Sequence, residues 1–191
     1  MDIATWTVDP DFPVHPVGSK PKRIVQSPDV ISEPFLIPRH SYLFKVAHGW
    51  RAQQLWSEVI AYRIAALTGV QVPPCYVAAN SATGEVGALI EFFYGYPGEV
   101  HPTRLVHGID IMRRLKVGSD TGRPHSVRAN VLIGRTYKVG SEVEWWGKTL
   151  TFDALFGNTD RHTENYCARP TDGGFACSLI GALPRRLCGF M

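Results

Sequence analysis

The chain has 191 residues, 45% of them hydrophobic and 19% charged, with a formal charge of +3. That is the composition of a folded globular protein, long enough for one domain with a real core and unlike a disordered or fibrous chain. So small a net charge, with the basic residues scattered, argues against a nucleic-acid-binding surface.

The start, "MDIATWTVDPDFPVHP", has acids and prolines where a secretory signal needs a basic start and an apolar centre. No apolar run approaches the roughly 18 residues that span a bilayer, and Glu91 interrupts the best one, "GALIEFFYGY". The expected setting is cytoplasmic, away from membranes. Prolines at 10, 13, 16, 21, 28, 34 and 38 disfavour helix over the first forty residues and predict extended or turn structure.

"YLFKVA", Tyr42–Ala47, alternates Tyr42, Phe44 and Val46 against Leu43, Lys45 and Ala47, which predicts a strand with Lys45 among small apolar neighbours. In "QLWSEVIAYRIAALTGV" the apolar residues Trp56, Val59, Ile60, Ile64 and Leu67 have helical spacing, and Gly69 supplies the stop. Pro73–Pro74 opens a further element, "CYVAA", and a turn around "NSATGE" leads to an aliphatic and aromatic strand, "VGALIEFFY". Thr103 to Lys116 carries Leu105, Val106, Ile109, Ile111, Met112 and Leu115 in roughly helical register. A loop with Gly118, Gly122 and Pro124 separates it from "VRANVLIGRTY", whose pattern fits either type. Lys148–Phe156 reads as a short helix ending at Gly157. The four cysteines form no CxxC pair and read as reduced thiols, and His162, Cys167 and Cys177 match no common zinc spacing.

The chemistry-bearing stretch is "DALFGNTDRHTENY", just past that last helix. Asp160 and Asn165 lie five apart. A carboxylate can orient a hydroxyl and accept its proton, and a carboxamide oxygen a short loop away can ligate magnesium, a hard ion that prefers oxygen. The interval matches the Asp-x-x-x-x-Asn of phosphoryl-transfer catalytic loops. Phosphoryl transfer also needs a cation on the phosphates, which Lys45 can supply. Glu58, 13 residues on, can hold that lysine.

"GNTDRHTEN" resembles the catalytic loop of HipA-like kinases, which are related to the phosphatidylinositol-kinase superfamily. "YLFKVAHGWRAQQLWSEVIAYRIAALTGVQVPP" resembles their nucleotide-lysine strand and following helix. The resemblance implies an α+β, two-lobed kinase-like fold. Its N-lobe of antiparallel sheet plus one helix would span residues 1–93, and a mainly helical, incomplete C-lobe 94–191, with the catalytic loop at 157–166. It implies ATP and Mg2+ as cofactors and phosphate transfer to a Ser or Thr hydroxyl of a protein, a phosphoinositide acceptor being the variant within the class. Asp160 would orient the hydroxyl or act as base, Asn165 would hold magnesium, Lys45 would pair with the phosphates and Glu58 would anchor Lys45. His162 would organise the loop. Backbone groups around Glu91, Phe92 and Phe93 would meet adenine, and Gly18, Ser19 and Lys20 occupy the place of the phosphate-covering loop. A helix-turn-helix antitoxin is the implied partner. This chain has no DNA-reading motif, so direct nucleic-acid contact is not expected.

One part of the pattern is missing. A second metal-binding carboxylate should follow the catalytic loop in an Asp-x-Gly context, yet the only acid beyond Glu164 is Asp172, within the turn signal "TDGG". The chain then runs "SLIGALPRRLCGFM" and reads as shortened. The alternative function is therefore a catalytically inactive kinase-like module that binds nucleotide or a partner.

Overall fold

The computed structural model describes residues 1–10, 22–47, 49–70, 72–93, 95–99, 106–115, 126–136, 141–156, 166–171 and 174–181. The chain forms two compact units, Met1–Ile64 with Pro73–Val100, and Ala65–Val72 with His101–Met191.

The first unit is built on an antiparallel five-stranded sheet. Its strands are β1 (Thr7–Val8), β2 (Lys22–Gln26), β3 (Ser41–Val46), β4 (Cys75–Asn80) and β5 (Glu85–Glu91), in the order β1-β2-β3-β5-β4. The pleat of β3 sends alternate side chains to opposite faces, as its sequence pattern predicts. Tyr42 and Phe44 are fully buried in a cluster with Ile3, Val25, Leu36, Ala78 and Leu89. The segment before β1 covers that face. It leaves the β4 edge, where the Ile3 N–H donates to the Ala79 carbonyl (2.8 Å), lays Trp6 edge-on to Tyr42 and joins β2 as β1. The proline-rich stretch thus contributes two strands, in keeping with the extended structure its prolines favour.

On the other face lies α1 (Gln53–Thr68), entered through a 3-10 turn at Gly49–Ala52. Of the large apolar residues that mark this helix in the sequence, Trp56, Ile60 and Leu67 are exposed, while Val59 and Ile64 are half-buried. The buried stripe is Leu55, Glu58, Ala61 and Ala65. Alanine and glutamate are invisible to a search for large apolar residues, which explains the difference. The strand predicted to run through "VGALIEFFY" ends earlier, at Glu91.

The second unit holds β6 (Val106–His107), α2 (Gly108–Leu115), α3 (Val127–Thr136), α4 (Glu142–Leu155), β7 (Tyr166–Thr171) and β8 (Gly174–Gly181). The helix expected from Thr103 begins only at Gly108, because Val106 and His107 pair with Ala168 and Cys167 instead. The ambiguous "VRANVLIGRTY" is helical over Val127–Thr136, capped by Ser126, whose Oγ accepts from the Ala129 N–H (3.1 Å). Helix α4 starts six residues before Lys148, burying Trp146, Thr149, Phe152 and Asp153. Ile111, Met112, Ala129, Ile133 and Trp146 form one core. α3 and α4 approach closely at Gly134, where a Cβ would stand 2.7 Å from the Glu142 Cβ. No helix among the described residues is long and apolar enough to cross a membrane.

Candidate functional site

The site starts from Lys45 on β3. Its ammonium Nζ lies 2.7 Å from Glu58 Oε1, with the lysine side chain 26% exposed and the glutamate 7%. The strand sets the lysine on the α1 face, and the sixth residue of α1 brings the carboxylate back to it. Glu58 Oε2 is buried and has no hydrogen-bond partner among the described residues. Half of the carboxylate is therefore stripped of water with only the ion pair to offset the cost.

Two neighbours complete the local charge pattern. Lys22 stands directly opposite Lys45 in the β2–β3 register, so both side chains leave the same face. The sequence alone does not single out Lys22, since its apposition to Lys45 exists only once the strands pair. Cys75 is buried nearby. Burial pushes its thiol up to about 12, the Glu58 carboxylate adds to the shift and the Lys45 ammonium opposes it. It is an inert thiol, not a nucleophile.

At the far end of β5 the backbone is asymmetric. The Glu91 N–H donates to the Pro74 carbonyl (2.8 Å), and the Phe92 N–H donates to the Ser41 carbonyl (3.0 Å). In an antiparallel pair the bond to Pro74 would be answered by an N–H from the same residue, but proline has none. The planar trans peptide that points the Phe92 N–H at β3 points the Glu91 carbonyl the other way, towards that missing donor. The double proline, legible only as an element boundary, thus leaves a directed carbonyl beside β4. The Glu91 side chain is buried and accepts from the Tyr96 hydroxyl (2.9 Å). The rings of Phe92 and Phe93 lie against each other, centroids 5.3 Å apart.

Lys45 and Glu58 are thus brought together, and Glu91, Phe92 and Phe93 sit at the end of the strand next to β3. Gly18, Ser19 and Lys20, between β1 and β2, and Asp160, Asn165 and His162, between α4 and β7, lie outside the described residues. Among the described residues no group of three or more His, Cys, Asp or Glu side chains could hold a metal.

No protein-family model matches the sequence, and no curated protein matches it. Among solved structures it is similar to the Helicobacter pylori proinflammatory kinase CtkA, with a TM-score of 0.67 and 13% identity, over 95% of this chain and 59% of that one. It is also similar to HipA of Shewanella oneidensis MR-1, solved with HipB and operator DNA, with a TM-score of 0.55 and 19% identity, over 92% of this chain and 44% of that one. The chain therefore spans less than two thirds of either neighbour. An antiparallel five-stranded sheet with helices, matched over most of this chain, makes the fold α+β and kinase-like.

Proposed function

We propose that the chain is a HipA-like kinase domain that transfers the γ-phosphoryl group of ATP to a Ser or Thr hydroxyl of a protein. The observation that carries this reading is the ion pair of Lys45 and Glu58, a lysine on a sheet strand held by a helix glutamate in a kinase-like fold. A half-buried ammonium fixed at its root can present its remaining donors to phosphate oxygens. Lys22 on the same face adds positive charge, and Gly18, Ser19 and Lys20 in the β1–β2 connection would close over the phosphates. The Glu91 carbonyl, which Pro74 cannot serve, suits the 6-amino group of adenine, with the backbone of Phe92 and Phe93 continuing the base-reading edge.

In the transfer, Asp160 orients the acceptor hydroxyl and takes its proton as the oxygen bonds to the γ-phosphorus. The bond from that phosphorus to the β,γ-bridging oxygen breaks, and ADP leaves with the electron pair. Magnesium held by the Asn165 amide oxygen would neutralise phosphate charge, which is much of what phosphoryl transfer asks of a protein. Residues 1–93 would form the nucleotide-holding lobe and 94–191 the catalytic-loop lobe. A HipB-like helix-turn-helix protein is the proposed partner, by analogy with the Shewanella HipA complex, and the cytoplasm the proposed location.

The second reading, a nucleotide- or partner-binding module without turnover, is favoured by one observation. In the sequence Asp172 is the one acid between Glu164 and Met191, and it stands in "TDGG", a turn signal rather than a metal-ligand context. Labelled ATP, magnesium and a protein mixture separate the two. Phosphate transfer that disappears in Asp160→Asn establishes the kinase. Thermal stabilisation by ATP without transfer establishes the binding module. Neither transfer nor stabilisation rejects both.

A further inference from the structure

His40, immediately before β3, is fully buried, yet nothing in the reading above uses it. Its Nε2 lies 2.7 Å from the Phe92 carbonyl oxygen. A carbonyl can only accept, so Nε2 carries the proton and Nδ1 is a bare lone pair. Nδ1 is buried with no hydrogen-bond partner among the described residues. The ring stacks on Tyr96, with centroids 4.4 Å and planes 12° apart, and meets Tyr42 edge-on at 5.4 Å. Its backbone is pinned by Ser27, whose N–H donates to the His40 carbonyl (3.0 Å) and whose Oγ accepts from the His40 N–H (3.0 Å).

A phenyl ring would fill the same space between Tyr42 and Tyr96 without stranding a nitrogen. What the imidazole alone contributes is the proton given to Phe92, and it contributes it at the cost of an orphaned acceptor. The geometric consequence lies one peptide further on. The Phe92 carbonyl and the Phe93 N–H belong to one planar trans peptide and point in opposite directions. Holding the carbonyl against His40 therefore turns the Phe93 N–H away from it. The peptide before behaves alike, since Ser41 holds the Phe92 N–H and the Glu91 carbonyl points away.

We propose that His40 is a positioning residue for recognition of the nucleotide base. By fixing the Phe92 carbonyl it aims the Phe93 N–H at N1 of adenine, beside the Glu91 carbonyl that accepts from the 6-amino group. Tyr96 supports the arrangement from both sides, through its ring on His40 and its hydroxyl on Glu91. The proposal rests on the nucleotide reading above.

The test titrates the full chain with ATP and with 1-deaza-ATP, which lacks the N1 acceptor, for the wild type, His40→Phe and His40→Gln, with thermal unfolding of each. His40→Phe weakens ATP about three- to tenfold, the worth of one hydrogen bond. It leaves 1-deaza-ATP within about twofold of wild type by the same logic, and its unfolding temperature does not fall. His40→Gln, whose amide can still donate to Phe92, recovers the preference for ATP over 1-deaza-ATP and serves alone should the phenylalanine variant not fold. Equal weakening of both nucleotides, or none of either, overturns the role of His40 while leaving nucleotide binding intact. A wild type that binds neither nucleotide overturns the nucleotide reading and this inference together.

Discussion

Separating the stability of the Lys45–Glu58 pair from its function gives a test with opposite signs for single and double replacements. Glu58 is almost wholly buried, with one oxygen unpartnered, whereas a quarter of the Lys45 side chain reaches solvent. Removing one partner of a buried pair costs about 3–5 kcal/mol, chiefly because the other charge is left desolvated. Lys45→Met strands the more buried group and belongs near about 3 kcal/mol. Glu58→Leu strands a lysine that can swing towards water, so about 2 kcal/mol is expected. The double replacement leaves no charge behind and should fall within about 1 kcal/mol of wild type, a coupling of roughly 4 kcal/mol. Urea unfolding of the four proteins measures this, with ATP-induced thermal shifts recorded alongside. The double variant should be stable and insensitive to ATP. Additive costs in the double variant would show that the pair is not the coupled, desolvated unit described, and a retained ATP shift would remove Lys45 from the phosphate site.

Three further outcomes follow from the packing. Gly87→Ala should destabilise by about 2–4 kcal/mol in urea unfolding, because the new Cβ would lie 2.2 Å from the Lys45 carbonyl oxygen, backbone that cannot yield without moving the lysine; a neutral substitution would contradict the strand geometry. Gly147→Ala, in the exposed interior of α4 with nothing within 4 Å of the added carbon, should raise stability by about 0.5–1 kcal/mol. Alkaline stability should also decline. The Cys75 thiol, ordinarily near 9, and the Tyr42 phenol, ordinarily near 10, are each pushed to about 12 by burial. Both hold their protons in the folded chain after the unfolded chain has lost them, so stability is whole below about pH 9 and drains away towards pH 12. Unfolding midpoints against pH, with Cys75→Ala removing the earlier part of the decline, check the sign.

Much of the first unit was legible because strand and helix periods are local. The alternation across Tyr42–Ala47 placed Lys45 opposite Tyr42 and Phe44 before any neighbour was known, and the apolar spacing after it required a helix. In the second unit "VRANVLIGRTY" stayed ambiguous until Ala129, Ile133 and Trp146 were seen to share a core. The start of α4 was missed because Trp145, Trp146 and Gly147 are weak helix formers, held helical there by the burial of Trp146.

By itself the amino-acid order determined which way each side chain leaves its own strand, where a helix had to exist and which residue types could serve phosphoryl transfer. It could not decide which turn of α1 faces the sheet, that Lys22 would stand across from Lys45, that Pro74 would leave the Glu91 carbonyl unanswered, or that His40 would reach a carbonyl 52 residues away. Those are relations between segments distant in the chain. Local periodicity fixes a direction relative to the element's own axis, whereas the partner met in that direction depends on how the intervening chain closes and on which packing excludes water.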